Sequence, residues 1–212
     1  MRTYNLQDIL SREIEFEDTK YSFGQLQIPI IQRDYAQGRD EQKTVRNRFL
    51  DALFGALKEQ KSLELDFVYG AIKEFDSIQF FVPLDGQQRL TTLFLLHWYI
   101  GNRELTEQPE RLDELRAVLG RFTYATRNTS NRFCERLVET SVTFSKLPSG
   151  EIRNSSWFYD VFDLDPTVKS MLNMIDAIHA KYGEYDLKLF DALDNLQFYV
   201  LPLNGFDLTD EL

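Results

Sequence analysis

Apolar positions between Thr44 and Lys58 recur at helical spacing. Val45, Phe49, Leu50, Leu53, Phe54 and Leu57 share a stripe, with Arg46, Arg48 and Asp51 between them, which predicts an amphipathic helix. The next two runs, Leu65–Glu74 and Ile78–Leu84, read as strands joined by a turn at Asp76-Ser77. Gln79-Phe80-Phe81-Val82-Pro83-Leu84 is too apolar for an exposed edge, so it belongs at the centre of a sheet with Pro83 at its end. After Asp85-Gly86 the chain from Leu90 to Ile100 is apolar nearly all round, the signature of a buried helix, and Gly101-Asn102 reads as its stop. Upstream, Tyr4–Arg12 reads as a short helix, and Glu15–Asp18 and Gln25–Ile28 as strands joined by a turn.

The remainder is mainly helical. Arg111–Leu119, Asn131–Thr140 and Leu187–Leu193 are predicted helices, and Lys146–Gly150 a loop. Asp165-Pro166 reads as an N-cap followed by proline at the first helical position, opening a helix whose face is Val168, Met171, Leu172, Ile175, Ile178 and Tyr182. Leu196–Leu203 reads as a closing strand. The pattern is α+β: a small mixed sheet with a buried helix, then a helical extension and a strand that returns to the sheet. A core over 1–103 and an extension packed on it over 104–212 follow. The end at Thr209-Asp210-Glu211-Leu212 lacks a cap or polar tail, as expected of a piece of a longer protein.

The 212 residues include 17 Phe and 10 Tyr, enough ring surface to exclude a disordered chain. The formal net charge of −10 excludes a polyanion binder that works by charge alone. Charge is uneven: residues 1–103 carry 13 basic and 15 acidic side chains, residues 104–212 carry 11 and 19, so an anion is easier to place in the first half. One cysteine, Cys134, and two histidines, His97 and His179, exclude a disulfide framework and a Cys- or His-rich metal site. Both Cys134 and His97 read as core residues. The start of the chain has no apolar export segment, and Leu90–Ile100 is far short of the roughly 20 residues of a membrane span, so a cytoplasmic protein without membrane contact is expected. Walker-A, zincin and serine-hydrolase motifs do not occur.

Three segments carry candidate chemistry. In the first, a strand feeds the buried helix through Asp85-Gly86-Gln87-Gln88-Arg89. Such a junction presents free N–H groups and the positive end of a helix dipole, which bind phosphates; Gly86 allows close approach, Arg89 can fork onto phosphate oxygens, and Asp85 can hold Mg²⁺. The same residues can instead form a capping box between Asp85 and Gln88. The second segment, Gln32-Arg33-Asp34-Tyr35, follows the apolar run from Ile28 and can bring Arg33 to the same anion, or can be a strand end with a local ion pair. In the third, Arg121, Arg127, Arg132 and Arg136 surround a helix start near Thr129-Ser130; they form either a phosphate track or a solvated face.

Taken together, Ile28-Pro29-x-x-Gln32-Arg33-x-Tyr35 and Asp85-Gly86-Gln87-Gln88-Arg89-Leu90-Thr91-Thr92-Leu93 resemble the N-terminal domain of the GmrSD-type family of modification-dependent restriction enzymes and phage-defence nucleases, a domain of the ParB/sulfiredoxin-like group. Phe122-x-Tyr124-x-Thr126-Arg127 and Trp157 with Asp165-Pro166-Thr167 extend the likeness. The resemblance implies a regulatory domain that binds, and can hydrolyse, a nucleoside triphosphate with Mg²⁺. Asp85, Gln87, Gln88 and Arg89 would form the phosphate and catalytic centre, with the metal on Asp85. Gln32, Arg33, Tyr35, Gly86, Thr91 and Arg127 would form the rest of the nucleotide site. It also implies a C-terminal HNH-type nuclease domain and DNA as partners of the full-length protein; no nuclease centre occurs in this chain. The other readings are a DNA-recognition module and a protein-interaction module without NTPase activity.

Overall fold

The structure is a computed structural model that describes residues 2–11, 13–16, 18–29, 34–125 and 128–203. The strands are β1 (Thr3–Tyr4), β2 (Glu13–Phe16), β3 (Thr19–Ser22), β4 (Gln25–Ile28), β5 (Leu63–Phe75), β6 (Ile78–Pro83), β7 (Phe122–Tyr124) and β8 (Leu196–Pro202). The helices are α1 (Leu6–Ser11), α2 (Lys43–Glu59), α3 (Gln87–Glu104), α4 (Pro109–Leu119), α5 (Asn128–Glu139), α6 (Pro148–Arg153), α7 (Asp160–Leu164) and α8 (Pro166–Tyr182). Short 3-10 turns occupy Asp40–Gln42 and Phe190–Asn195. Among the described residues the strands form a mixed six-stranded sheet, ordered β1-β8-β5-β6-β4-β7, and a separate β2-β3 hairpin. The architecture is α+β.

β5 and β6 make the central hairpin. Asp76 and Ser77, at φ 49° and 63°, both take the left-handed conformation that a two-residue turn between twisted strands requires. β6 lies between β5 and β4, and Pro83 is its last residue, where its missing N–H removes no central ladder bond. β4 runs parallel to both β6 and β7, so these three strands end on the same edge of the sheet. β8 returns to pair parallel with β5 and antiparallel with β1, so residues beyond 104 contribute β7 and β8 to the sheet of the first half.

α3 is the core helix: every residue from Leu90 to Asn102 is buried. It packs against α8, whose Val168, Met171, Leu172, Ile175 and Ile178 are fully buried. α8 begins as the sequence predicts, with Asp165 as N-cap accepting from the Thr167 amide at 2.8 Å and Pro166 at the first helical position.

Several expectations need correction. Gln25–Ile28 does not pair with the preceding strand; β2 closes on β3, leaving β4 for the main sheet. Gly101 does not stop α3, which continues to Glu104. A Cβ at Gly101 would lie 2.1 Å from Leu115 Cδ2, so this glycine lets α4 approach α3. Lys146–Gly150 is not all loop, because Pro148 opens α6. Leu187–Leu193 is not an α-helix; a 3-10 turn covers Phe190–Asn195. On α2, Val45 is 54% exposed while Arg46 is buried, so the stripe is rotated toward the arginine.

Candidate functional site

The first two candidate segments and the α5 start of the third follow the carboxyl ends of three neighbouring parallel strands, while Arg121 precedes β7. β6 leads through Asp85 and Gly86 into α3, β4 leads through Pro29 toward Asp34 and Tyr35, and β7 leads through Ala125 into α5. In open α/β sheets the crevice outside such strand ends is where ligands bind. The sequence alone could not show that β4 lies between the other two; the topology does.

Gly86 is the N-cap of α3 with φ +82°, a conformation that favours glycine, and a Cβ there would also lie 2.8 Å from Val68 Cγ2. Gly86→Ala should therefore cost at least about 1 kcal/mol, read as a lower chemical-denaturation midpoint. The capping box does not form, since no side chain caps this helix. Among the described residues the Gly86, Gln87, Gln88 and Arg89 amides donate to no partner, as expected for a first helical turn.

Gln88 instead reaches across to the second segment. Its Oε1 accepts from the Ala36 amide at 2.8 Å and the Gln37 amide at 3.3 Å, and its Nε2 donates to the Asp34 carbonyl at 3.0 Å. The carboxamide thus substitutes for a strand partner along 34–37. Gln88→Ala leaves these half-buried groups unpaired and should cost about 1–3 kcal/mol, measured by denaturant titration. Gln87 donates from Nε2 to the Pro83 carbonyl at 2.9 Å.

Arg89 faces β5. It donates from Nη1 to the Leu65 carbonyl and from Nη2 to the Phe67 carbonyl at 2.7 Å, on either side of Asp66, which stands at φ 67° where the β5-β8 register shifts. Nη2 also pairs with Asp85 Oδ2 at 3.1 Å, and the Asp66 carboxylate lies 3.9 Å from Nη1. The guanidinium therefore pins the β5 irregularity to the first turn of α3 and holds the carboxylate of Asp85, whose side chain is 54% exposed.

Tyr35 and Thr91 are interior residues. The Tyr35 hydroxyl bonds Thr92 Oγ1 at 2.8 Å, and its amide donates to Thr167 Oγ1 at 3.3 Å; burial pushes this phenol well above its ordinary range. Thr91 Oγ1 donates to the Gln87 carbonyl and lies 2.9 Å from the Tyr124 hydroxyl, itself pushed up by burial. Gln32, Arg33 and Arg127 lie outside the described residues.

Two further side chains, neither assigned a role by the sequence, hold the 34–39 loop. Thr92 donates to Gln37 Oε1 at 2.5 Å and so joins α3 to the 34–39 loop. Arg46, on α2, donates from Nη1 to the Gly38 carbonyl at 2.8 Å and the Arg39 carbonyl at 3.4 Å. Its place in register with Leu50, Leu53 and Leu57 was a legible signal: an arginine on the buried stripe must bond something inside. Gln88 and Arg46 thus both hold the 34–39 loop.

Residues 6–210 match the GmrSD restriction endonuclease N-terminal domain. The chain belongs to that family. This makes it a component of a restriction system, which acts on DNA as a defence against phage. A comparison with curated proteins finds no match. Among the described residues of this GmrSD-type domain, no helix is long and apolar enough to cross a membrane, and no group of three His, Cys, Asp or Glu is placed to hold a metal by itself.

Proposed function

We propose that this domain binds a nucleoside triphosphate with Mg²⁺ in the crevice at the carboxyl ends of β4, β6 and β7, as the regulatory part of a GmrSD-type restriction enzyme. The observation that carries this reading is the first turn of α3 at the carboxyl end of β6, joined through Gln88 to residues 34–37. Its unbonded amides and helix dipole face a polyphosphate, and Gly86 lets the phosphates approach. The donor set fits magnesium. Asp85, an exposed carboxylate beside the anion site, would hold the Mg²⁺ of a bound nucleotide. Bound there, the metal would neutralise phosphate charge.

Arg89 commits its donors to β5 and Asp85, so its part here is to aim Asp85 rather than to grip phosphate. Gln88 holds residues 34–37 against the first turn of α3. Gln87 keeps its Oε1 without a hydrogen bond among the described residues, an acceptor able to orient a water for hydrolysis. The three residues thus act on geometry, and phosphoryl transfer depends chiefly on positioning and charge neutralisation.

A titration of ATP, GTP, CTP and UTP with and without Mg²⁺ tests this. At least one nucleotide should raise the unfolding midpoint in wild type, with the rise weakened when Mg²⁺ is removed or Asp85 is replaced by Ala. Saturation at 100 times Kd corresponds to about 2.7 kcal/mol. Phosphate release in the same samples reads turnover. No shift with any nucleotide would remove this reading.

A further inference from the structure

Along α5, that helix and the Trp157–Phe162 segment line a groove of about 820 Å³. That volume is in the range of small-molecule sites. Its wall is a packed aromatic cluster. Trp157 meets Phe133 and Phe162 at ring-centre distances of 5.9 and 5.8 Å, and Tyr159 stacks on Phe162 at 6.3 Å and 19°. Phe133 and Phe162 are buried, which fixes the outer rings, yet Tyr159 is 64% exposed. Val161, 50% exposed, adjoins it in the groove lining, so the mouth carries a patch of exposed apolar surface of the kind that marks interaction sites. The opposite wall carries Arg132 and Arg136, one turn apart on α5, both exposed. Among the described residues neither guanidinium makes a hydrogen bond or ion pair, while Arg121, from the same basic cluster, is tied to the Leu10 carbonyl at 2.7 Å.

Flat rings beside two unpaired guanidinium groups match a nucleobase and its flanking phosphates, the pairing used on unstacked strands. We infer that this groove is a DNA-contact site that receives one unstacked nucleotide, the base against Tyr159 and Trp157 and the adjoining phosphates on Arg132 and Arg136. DNA is the partner expected of a restriction system, and the inference stands apart from the nucleoside triphosphate reading. Glu135 and Glu139 share the edge, so the groove is no polyanion track, and stacking supplies most of the affinity. Duplex DNA with every base stacked offers the groove nothing to take in. A strand with a free base does.

The test uses the 212-residue chain and three fluorescent probes: a short single strand, a perfect duplex, and a duplex with one unpaired base. Trp98 is buried and Trp157 lines the groove, so quenching of tryptophan emission reports on the groove. The single strand and the unpaired-base duplex should bind, quench, and lose roughly 5- to 100-fold in affinity on Tyr159→Ala. Arg132→Ala and Arg136→Ala should each weaken binding. The dependence of log K on log salt should be shallow, about −1.4 for two phosphate contacts on a single strand. Tyr159→Ala is a surface change and leaves folding intact, which a thermal scan verifies. Equal affinity for all three probes, or unchanged affinity of the single strand in Tyr159→Ala, would each overturn the inference. Nucleoside triphosphate binding at α3 would be untouched by any of these results.

Discussion

Gly38→Ala is expected to lower the thermal midpoint by roughly 6–12 °C, the shift for a loss of about 3 kcal/mol in a domain of this size. Gly38 is buried where the 34–39 loop passes over α8. A Cβ there would lie 1.7 Å from the Ser170 carbonyl oxygen and 2.5 Å from its carbon. Those atoms are helix backbone and cannot turn aside as a side chain can, so the loop or the helix must move. The loop is also the element that Gln88 and Arg46 hold, and its displacement would stretch the bonds to Ala36, Gln37 and Gly38. Gly38→Ser should be as damaging, because the clash begins at Cβ. A midpoint within about 2 °C of wild type by differential scanning calorimetry would show that the loop is not seated on α8 as described.

The second large effect is a loss of stability in mild acid that belongs to His97. This ring is 1% exposed within α3; its Nδ1 bonds the Leu93 carbonyl at 2.8 Å, and its Nε2 has no partner among the described residues. Burial pushes its pKa from 6.5 down to about 4, against a smaller upward pull from the bond to Leu93. Between those two values the unfolded chain binds a proton that the folded chain does not. Stability is therefore complete above pH 6.5, falls as pH falls, and levels off below about pH 4. The loss sums to about 3 kcal/mol. His97→Leu should flatten that part of the profile, because it removes the titrating group from an apolar site. Urea unfolding of both proteins at pH 7 and pH 4.5 measures the difference; parallel pH profiles would contradict the assignment.

The parts of the fold set by local periodicity were legible in the sequence. The apolar run after Gly86, the β5-β6 pair with its Asp76-Ser77 turn, and the Asp165-Pro166 helix start each follow from local chemistry. What escaped depends on partners distant in the chain. β7 is three residues long, too short for a periodic signal, and exists because β4 offers it a parallel edge. Gly101 has the composition of a helix stop but answers to Leu115 from α4. At the candidate site, the residues themselves were readable but their jobs were not. Gln88 fits a capping box by spacing, yet its length lets it bond a loop more than fifty positions earlier. Arg89 fits a phosphate fork, yet the open carbonyls at the β5 irregularity attract the same donors. Tyr35 is placed in the nucleotide site by the resemblance, and its hydroxyl bonds Thr92 in the interior instead.

Amide hydrogen exchange with and without a Mg²⁺-bound nucleoside triphosphate tests the central claim most directly, because it reports where the ligand sits as well as whether it binds. The account predicts slowed exchange at Gly86–Arg89 and along 34–37, lost on Asp85→Ala. Protection confined to other parts of the chain, or exchange at α3's first turn that is indifferent to nucleotide, would contradict it.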